Sequence, residues 1–426
     1  MTTSSPLPLL QRPINAWWIA VSAAIALVFG AGTLNVLFNV AVGPVTKEFG
    51  WTLADFTNGA SLATVMAAIS AAVMGMLVSR YGPKIPTIPT SLAFGVAVML
   101  MATATEGVWS WYALCTLLGA VAGASIPVAH ATVVTAWFSN RRGLALGLLA
   151  AGSSMGSIVM PPFATWLAAS FGWRGIYIGV GLLCLIIPPA VYAFVTRMPP
   201  GVEMKIRDRG AVPEALLGTL TRSRQFWLLL VGIVLVSTAM FGLLSQVFPI
   251  ATSHGYSREV AALMLTSFGI SSLSFRFIVG FLIDRIYAPG IAVVLFTLGA
   301  VGVVVLFTSD SVALSLLGAV LVGAAYGGET DIAMYVASRY FPPKAYAKIV
   351  ALVYFVHTAG GAIGIFLVGQ LYVASGGYTL PMVVLVTLVV IGTACFLGFG
   401  RYKYRLDGTP VDAPAVIAPR ILKVDV

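Results

Sequence analysis

Several ionisable residues lie inside long apolar stretches of the sequence, where a charge or a proton can act on a bound molecule. Arg276 is followed by Asp284 eight positions later, so on a helix that rises 1.5 Å per residue it lies about 12 Å from the end of its segment. Its guanidinium group does not lose its proton, so it needs an acidic neighbour or an anionic ligand. Because a guanidinium group matches a carboxylate with two parallel hydrogen bonds, we expect Arg276 to bind a substrate carboxylate. A structural ion pair with Glu329 or Asp331 is the alternative.

Glu329 and Asp331 directly follow the flexible pair Gly327-Gly328. Two positions on a helix correspond to a rotation of about 200°, so both acids face one cavity only if the glycines unwind this turn. A carboxyl group buried among apolar residues can hold a proton near neutral pH. We therefore expect one of the two acids to carry a proton, with Glu329 favoured because it lies deeper. The alternative is a structural lock on Arg276 or on a neighbouring helix.

Two histidines also lie within apolar segments. His357 can titrate near neutral pH or donate a hydrogen bond to a carboxylate, so we place it in the substrate site. His130 has the same chemistry, and we place it with the proton carriers. For both residues the alternative is a neutral imidazole that only packs and hydrogen-bonds.

Two pairs of polar residues are further candidates for contact with a substrate. Asn35 and Asn39 are four positions apart and share one helix face. Amides inside membrane helices line a cavity or bond to a neighbouring helix. Tyr335 lies four positions after Asp331 on the same face, and Tyr354 lies three positions before His357. We expect all four to contact substrate, with helix packing as the alternative.

The composition places these residues in a membrane. The 426 residues are 59% apolar and only 9% charged, whereas soluble domains carry about 25% charged residues. This excludes soluble enzymes, nucleic-acid readers and secreted disulfide scaffolds. Segments of about 20 apolar residues cross a bilayer, and we predict twelve of them: 16–40, 56–79, 86–104, 109–136, 143–170, 174–196, 225–250, 259–283, 290–308, 311–338, 345–374 and 379–400.

The basic residues between these segments indicate orientation. Twenty lysines and arginines fall on one side, and three, Lys47, Arg174 and Arg258, fall on the other. Positive loops face the cytoplasm, so we expect a multi-pass protein of the inner (cytoplasmic) membrane with both termini inside. The net charge of +10 then reflects topology, and no nucleic-acid partner is expected. The predicted organisation is a cytoplasmic N-terminus (1–15), a six-helix half (16–196), a cytoplasmic linker (197–224), a second six-helix half (225–400) and a cytoplasmic tail (401–426).

The sequence indicates neither a cofactor nor a metal. Cys115, Cys184 and Cys395 are scattered through apolar segments, which suits neither a disulfide framework nor a metal cluster. The phosphate-binding loop of nucleotide-driven pumps is missing from the sequence. We expect a monomer without a cofactor, and we do not expect an enzyme, because no nucleophile or metal set with suitable spacing occurs.

The two halves carry an internal repeat. Four short motifs occur once in each half at offsets of 203 to 205 residues: Gly75-x-x-x-Ser79-Arg80 with Gly280-x-x-x-Asp284-Arg285, Gly50-Trp51-Thr52 with Gly255-Tyr256-Ser257, Gly119-x-x-x-Gly123 with Gly323-x-x-x-Gly327, and Trp137-Phe138 with Tyr340-Phe341. Two repeated halves with a site between them near the membrane midplane are typical of a secondary transporter.

The first of these motifs resembles a known signature. Residues 75–84 are similar to the G-x-x-x-D-R-x-G-x-R/K turn of the major facilitator superfamily, with Ser79 in place of the usual Asp. In that family the acid helps to latch the cytoplasmic face, which implies gating roles for Ser79 and Arg80. It implies the same for Asp284 and Arg285 in the second copy. We expect Asp284 and Arg339 to form the latch, with a solvated surface pair as the alternative.

Other stretches resemble the monocarboxylate and oxalate-formate permease branch of that superfamily: Glu48-Phe49-Gly50-Trp51, residues 137–147, Phe171-Gly172-Trp173-Arg174, Arg276-x-x-x-Gly280 and Gly328-Glu329-x-Asp331-x-x-x-Tyr335. Ser272 and Phe277 replace an Asp and a Pro of that branch, and His357 lies where some members have a Lys. The resemblance implies an all-α fold of twelve helices in two pseudo-symmetric halves. It also implies transport of a small organic monocarboxylate with protons by alternating access. A proton-independent carboxylate antiporter and an exporter of another organic solute are the alternatives.

Overall fold

The computed structural model of the protein describes residues 16–125, 130, 133–134, 137–138, 142–194, 220–283 and 285–404. Asp284 and the side chains of Asn35 and Ser79 lie outside this described part. The described residues contain thirteen α-helices: α1 (Ala16–Val28), α2 (Ala31–Phe49), α3 (Leu53–Tyr81), α4 (Lys84–Leu100), α5 (Val108–Val121), α6 (Arg142–Phe194), α7 (Arg224–Leu244), α8 (Val247–Ser253), α9 (Arg258–Ile283), α10 (Ala288–Thr308), α11 (Val312–Tyr340), α12 (Pro343–Ser375) and α13 (Thr379–Leu397).

These helices account for the twelve predicted crossings. Nine described segments are long and apolar enough to span a membrane. The longest helix, α6, has 53 residues, far more than the roughly 20 that one crossing needs. It reverses at Gly172, whose φ of 69° lies in the left-handed region that favours glycine, so it supplies two crossings. The all-α fold predicted from the sequence is confirmed.

The first crossing is broken between α1 and α2, and the seventh between α7 and α8. At the first break, the Thr33 hydroxyl donates to the carbonyl oxygen of Val28 at 2.7 Å. A break in a membrane helix leaves backbone groups without partners, and a nearby hydroxyl can replace the lost hydrogen bond. Together α1 and α2 form one crossing that is longer than the predicted segment, because α2 continues to Phe49.

Similar hydrogen bonds join the corresponding helix pairs of the two halves. In the first half, the Ser70 hydroxyl on α3 donates to the carbonyl oxygen of Ala120 on α5 at 2.6 Å. In the second half, the Ser271 hydroxyl on α9 donates to the carbonyl oxygen of Val320 on α11, also at 2.6 Å. The pairs α3–α5 and α9–α11 are therefore equivalent contacts of the two halves.

Glycines of the repeat allow these helix pairs to approach closely. A Cβ atom added to Gly119 would lie 2.3 Å from the carbonyl oxygen of Ala63. A Cβ atom added to Gly323 would lie 2.4 Å from the carbonyl oxygen of Phe268. Both distances are shorter than any real contact, so a larger residue at either position would push its two helices apart.

The two halves meet along α3 with α12 and along α6 with α9. We call the side where α6 ends and α7 begins the linker side, and the other side the far side. The Ser61 hydroxyl donates to the carbonyl oxygen of Ala362 at 2.8 Å, and the Gln370 amide donates to Asn58 Oδ1 at 3.0 Å. Asn58 lies near the start of α3 and Gln370 near the end of α12, so these bonds join the halves toward the far side.

Candidate functional site

A cavity of about 780 Å³ lies between the two halves. Helices α2, α3, α5 and α6 of the first half line it, and α7, α9, α11 and α12 line it from the second half. The lining reaches Ile283, the last residue of α9, so the cavity extends to the linker side. Five residues singled out from the sequence line this cavity: Asn39, Arg276, Asp331, Tyr354 and His357.

Arg276 and Asp331 form an ion pair at the cavity wall. Nη1 of Arg276 lies 3.6 Å from Oδ1 of Asp331, and their side chains are 18% and 21% exposed. This distance exceeds that of a good hydrogen bond. Nε of Arg276 is buried and has no hydrogen-bond partner among the described residues. The guanidinium group therefore keeps donors that a second anion can occupy.

Glu329 lies behind the wall in a separate cluster. Its side chain is fully buried, and Oε1 accepts a hydrogen bond from the Ser237 hydroxyl on α7. Nδ1 of His357 on α12 lies 3.1 Å from the same Oε1 and 2.8 Å from the Ser237 oxygen. Because His357 also lines the cavity, its imidazole ring lies between the cavity and the buried carboxyl group.

The helical geometry of α11 explains why the two acids are separated. The helix continues without interruption through Gly327-Gly328, so the unwound turn that would bring both acids to one cavity does not occur. The rotation of about 200° between the two positions directs Asp331 to the cavity and Glu329 toward α7 and α12. A Cβ atom added to Gly327 would lie 2.3 Å from the carbonyl oxygen of Ser272. Here the glycine provides close packing of α11 on α9.

Two aromatic side chains extend the second-half wall beside His357. The ring centroid of Phe241 lies 5.2 Å from that of His357 and 5.5 Å from that of Tyr326, both in edge-to-face arrangements. Phe241 and Tyr326 line the cavity. We call Tyr326, Phe241 and His357 the aromatic shelf.

The first half supplies a wall without charge among the described lining residues. Ala60, Ala63, Thr64 and Ala67 line the cavity from α3, and their spacing places them on one face of that helix. Phe38 and Asn39 line it from α2, and three serines line it from α6: Ser153, Ser154 and Ser157. Within the described lining, charge is therefore confined to the second-half wall of the cavity.

Comparison with known proteins decides the family. The sequence profile of the Major Facilitator Superfamily matches residues 21–327 and 247–424 of this chain. The chain belongs to this superfamily. It is a multi-pass membrane transporter, as the signature turn and the repeat predicted.

Relatives and solved structures agree with this assignment. The chain is 26% identical over 400 residues to monocarboxylate transporter 13 of Bos taurus, covering 91% of this chain and 90% of that protein. It is 28% identical over 282 residues to the oxalate:formate antiporter of Oxalobacter formigenes, covering 64% of each. A bacterial homologue of the human lysosomal transporter Spinster, inward-facing and occupied, superposes with a TM-score of 0.70 at 15% identity over 94% of this chain and 100% of that one. A single-site mutant of the nucleoside transporter NupG superposes with a TM-score of 0.73 at 10% identity, over 91% of this chain and 100% of that one. At these identities the two structures support the fold alone.

Two residues singled out from the sequence lie away from the transporter's cavity. His130 is bonded to the Tyr192 hydroxyl through Nε2, and both line a small separate pocket. Tyr335 is outside the set of described lining residues. Its ring packs against Tyr402, with 6.4 Å between centroids. Sharing a helix face with Asp331 was therefore insufficient to bring Tyr335 to the cavity.

The three arginines with predicted gating roles lie near the linker side. The guanidinium group of Arg80 lies 5.3 Å from the ring centroid of Tyr81, that of Arg285 lies 3.4 Å from Phe281, and that of Arg339 lies 4.2 Å from Tyr402. These arginines thus stack on aromatic rings. The latch between Arg339 and Asp284 stays a prediction, because Asp284 lies outside the described residues.

Two of the stretches that resemble the permease branch meet on the far side. Oε1 of Glu48 lies 2.6 Å from Nη1 of Arg174, and Trp173 Nε1 donates to Oε2 of Glu48 at 2.7 Å. These bonds tie the end of α2 to the part of α6 that follows its reversal at Gly172. The stretches are thus two sides of one structural contact within the first half.

Ser237, Phe241 and Tyr326 were not identified from the sequence. Ser237 lies in the middle of α7, within the apolar sequence Val-Leu-Val-Ser-Thr-Ala-Met. A hydroxyl group in the middle of an apolar segment could have identified Ser237 from the sequence, because polar groups inside membrane helices need a partner. Phe241 and Tyr326 carry no comparable signal, since most aromatic residues of membrane helices serve packing.

Proposed function

We propose that this transporter moves small organic monocarboxylate anions together with protons by alternating access, in the cytoplasmic membrane with both termini inside. The observation that carries the proposal is the ion pair of Arg276 and Asp331 at the cavity wall, 3.6 Å apart. A permanent cation there is a binding site for an anion, and the neighbouring carboxyl group makes that site sensitive to protons.

Competition between two carboxylates supplies the coupling step. When Asp331 is ionised, it occupies the guanidinium group of Arg276 and repels an incoming anion. When Asp331 takes up a proton, the positive charge of Arg276 is no longer compensated, and the substrate carboxylate replaces Asp331 as its partner. Proton and anion then cross together with no net charge carried.

The cluster of Ser237, Glu329 and His357 supports a second proton position. A fully buried carboxylate is costly unless it is paired, and the imidazole at 3.1 Å is the group that can pair with it. One proton satisfies both residues, either as an ion pair or as a neutral acid beside a neutral imidazole. Because His357 contacts the cavity, it offers a route by which this proton reaches the substrate site.

The hydrogen bonds between the halves support alternating access. The bonds from Ser61 to Ala362 and from Gln370 to Asn58 close the transporter toward the far side, while the cavity extends to the linker side. The excess of lysine and arginine on the linker side assigns it to the cytoplasm. The structure is then the inward-facing state, and these bonds must break for the outward-facing one.

Uptake into proteoliposomes tests the proposal. Acetate uptake by the purified protein is measured with and without an inward proton gradient, and a proton ionophore serves as the control. We expect accumulation that follows the gradient and disappears with the ionophore. Uptake that ignores pH and requires carboxylate inside the vesicle would instead favour a carboxylate antiporter. That second candidate is supported by the 28% identity to the oxalate:formate antiporter of Oxalobacter formigenes.

A further inference from the structure

We infer that the cavity selects monocarboxylates that carry a bulky apolar body, such as an aromatic ring, and rejects oxalate-sized diacids. This inference rests on the proposed function and specifies its substrate. Its basis is the placement of the Arg276–Asp331 pair, the aromatic shelf and the apolar α3 residues around one cavity.

The charges of the cavity suit a single carboxylate. Among the described lining residues, Arg276 is the permanent cation, Asp331 the acid and His357 the titratable base. One substrate carboxylate neutralises Arg276 once Asp331 is protonated. The second carboxylate of a diacid would meet no further permanent cation among these residues, and an unpaired charge removed from water is strongly disfavoured.

The aromatic shelf lies at a suitable distance from the Arg276–Asp331 pair to contact the body of a bound substrate. Tyr326 and Asp331 belong to the same helix and are five positions apart, which corresponds to about 7.5 Å along its axis. A carboxylate bound to Arg276 can therefore direct a ring toward Tyr326 and Phe241. Edge-to-face and offset contacts are the arrangements that aromatic rings prefer.

The α3 part of the opposite wall is an apolar surface that such a body can contact. Three of the four α3 residues in this wall are alanines. The fourth, Thr64, donates its hydroxyl to the carbonyl oxygen of Ala60 at 2.9 Å. Its donor is thus satisfied within the helix, and the side chain adds to an apolar surface.

The volume of the cavity suits a substrate with a bulky apolar body. Its volume of about 780 Å³ lies within the range of about 300–1,000 Å³ that is usual for sites of larger organic ligands. A diacid of two carbons is too small to contact the aromatic shelf and the α3 residues together, so apolar surface of the cavity would stay in contact with water.

The test compares three acids in proteoliposomes: phenylacetate, acetate and oxalate. For the wild-type protein, we expect kcat/KM for phenylacetate to exceed that for acetate by about tenfold or more, which is the discrimination that an apolar pocket can provide. We expect no saturable uptake of oxalate. Thr64→Phe fills the space on the α3 wall and should lower the phenylacetate-to-acetate ratio by about tenfold.

A matched control is available on α13. Thr387 also donates its hydroxyl to the carbonyl oxygen four residues earlier, at 2.7 Å, but it is exposed on the outer surface of the helix bundle. Thr387→Phe should leave the ratio within twofold of the wild-type value. Thr64→Leu provides a smaller filling variant if Thr64→Phe does not reach the membrane, and it should lower the ratio in the same direction.

Two results would overturn the inference while leaving the proposed function intact. One is saturable oxalate uptake equal to that of phenylacetate. The other is an equal loss of acetate and phenylacetate uptake in both Thr64 variants. Absence of uptake of all three acids by the folded wild-type protein would overturn the proposed function and this inference together.

Discussion

Arg276 on α9 and Asp331 on α11 face the same cavity with 3.6 Å between Nη1 and Oδ1, and Nε of Arg276 is buried without a hydrogen-bond partner among the described residues. The pair is close enough for each charge to stabilise the other and too far apart for good hydrogen bonds. We propose that a substrate carboxylate replaces Asp331 as the partner of Arg276.

Replacing Arg276 with alanine should abolish uptake of monocarboxylates. A hydrogen bond to a charged group contributes about 1.5–3 kcal/mol, and two of them would be lost, so we expect a decrease of at least about 100-fold. Arg276→Lys should recover part of the activity, because it keeps the charge but loses the two-pronged geometry. Initial uptake rates at equal membrane expression measure this. Arg401→Ala, on the exposed surface, is the control, and unchanged uptake by Arg276→Ala would remove this residue from the site.

Asp331→Asn should separate anion binding from the proton gradient. The amide imitates the protonated acid at every pH, so Arg276 stays available to the substrate. In the wild-type protein KM should rise as pH increases, because Asp331 loses its proton and competes for Arg276. In the variant KM should be independent of pH, with exchange retained and accumulation lost. A variant that keeps the wild-type pH profile would show that Asp331 does not couple the proton.

Glu329→Gln tests the buried cluster. The substitution keeps a hydrogen-bonding group beside Ser237 and His357 but removes the proton-binding site, so we expect exchange to continue and accumulation against a gradient to fail. If Glu329→Gln and Asp331→Asn both still accumulate substrate, the proton carrier lies elsewhere, and His357 becomes the next residue to replace. Parallel measurements of exchange and of gradient-driven accumulation on the same vesicles distinguish these cases.

Ser237→Ala tests whether the missed serine stabilises the cluster. Its hydroxyl donates to Glu329, and removal of one partner from a buried polar group costs about 1–3 kcal/mol. We expect a lower melting temperature in detergent and weaker accumulation. Ser274→Ala is the matched control, because that hydroxyl is exposed and bonds only to its own helix, at the carbonyl oxygen of Ile270. Equal melting temperatures for the two variants would contradict the assigned role.

A disulfide across the far side should stop the transport cycle. A Cβ atom built on Gly369 lies 3.0 Å from Cβ of Thr57, which is slightly shorter than the range of about 3.5–4.5 Å found in disulfides. In Thr57→Cys/Gly369→Cys, oxidation should hold the halves together and arrest uptake, and a reductant should restore it. The two single variants are the controls. Full transport by the crosslinked protein would show that this contact does not open.

The local pattern of the sequence was sufficient for the architecture. Segment length and apolar composition predict the crossings, because a bilayer imposes its thickness on every helix. The repeat predicts two equivalent halves, and the structure shows them in the close contacts of Gly119 with Ala63 and of Gly323 with Phe268. The need to compensate a buried guanidinium group also identified Arg276 from its position alone.

The tertiary structure decided which residues share one site. From the sequence, Glu329 and Asp331 were both candidates for the proton carrier, with Glu329 favoured. The packing of α11 against α9 at Gly327 turns Asp331 toward the cavity and Glu329 toward Ser237, which lies 92 positions away in the chain. His130, like His357, lies within an apolar segment of the sequence, yet it is located beside Tyr192 in another pocket. Hydropathy and spacing report the depth of a residue and its rotation about its own helix. The neighbour that each helix face meets depends on how separate helices pack, and only the folded chain determines this.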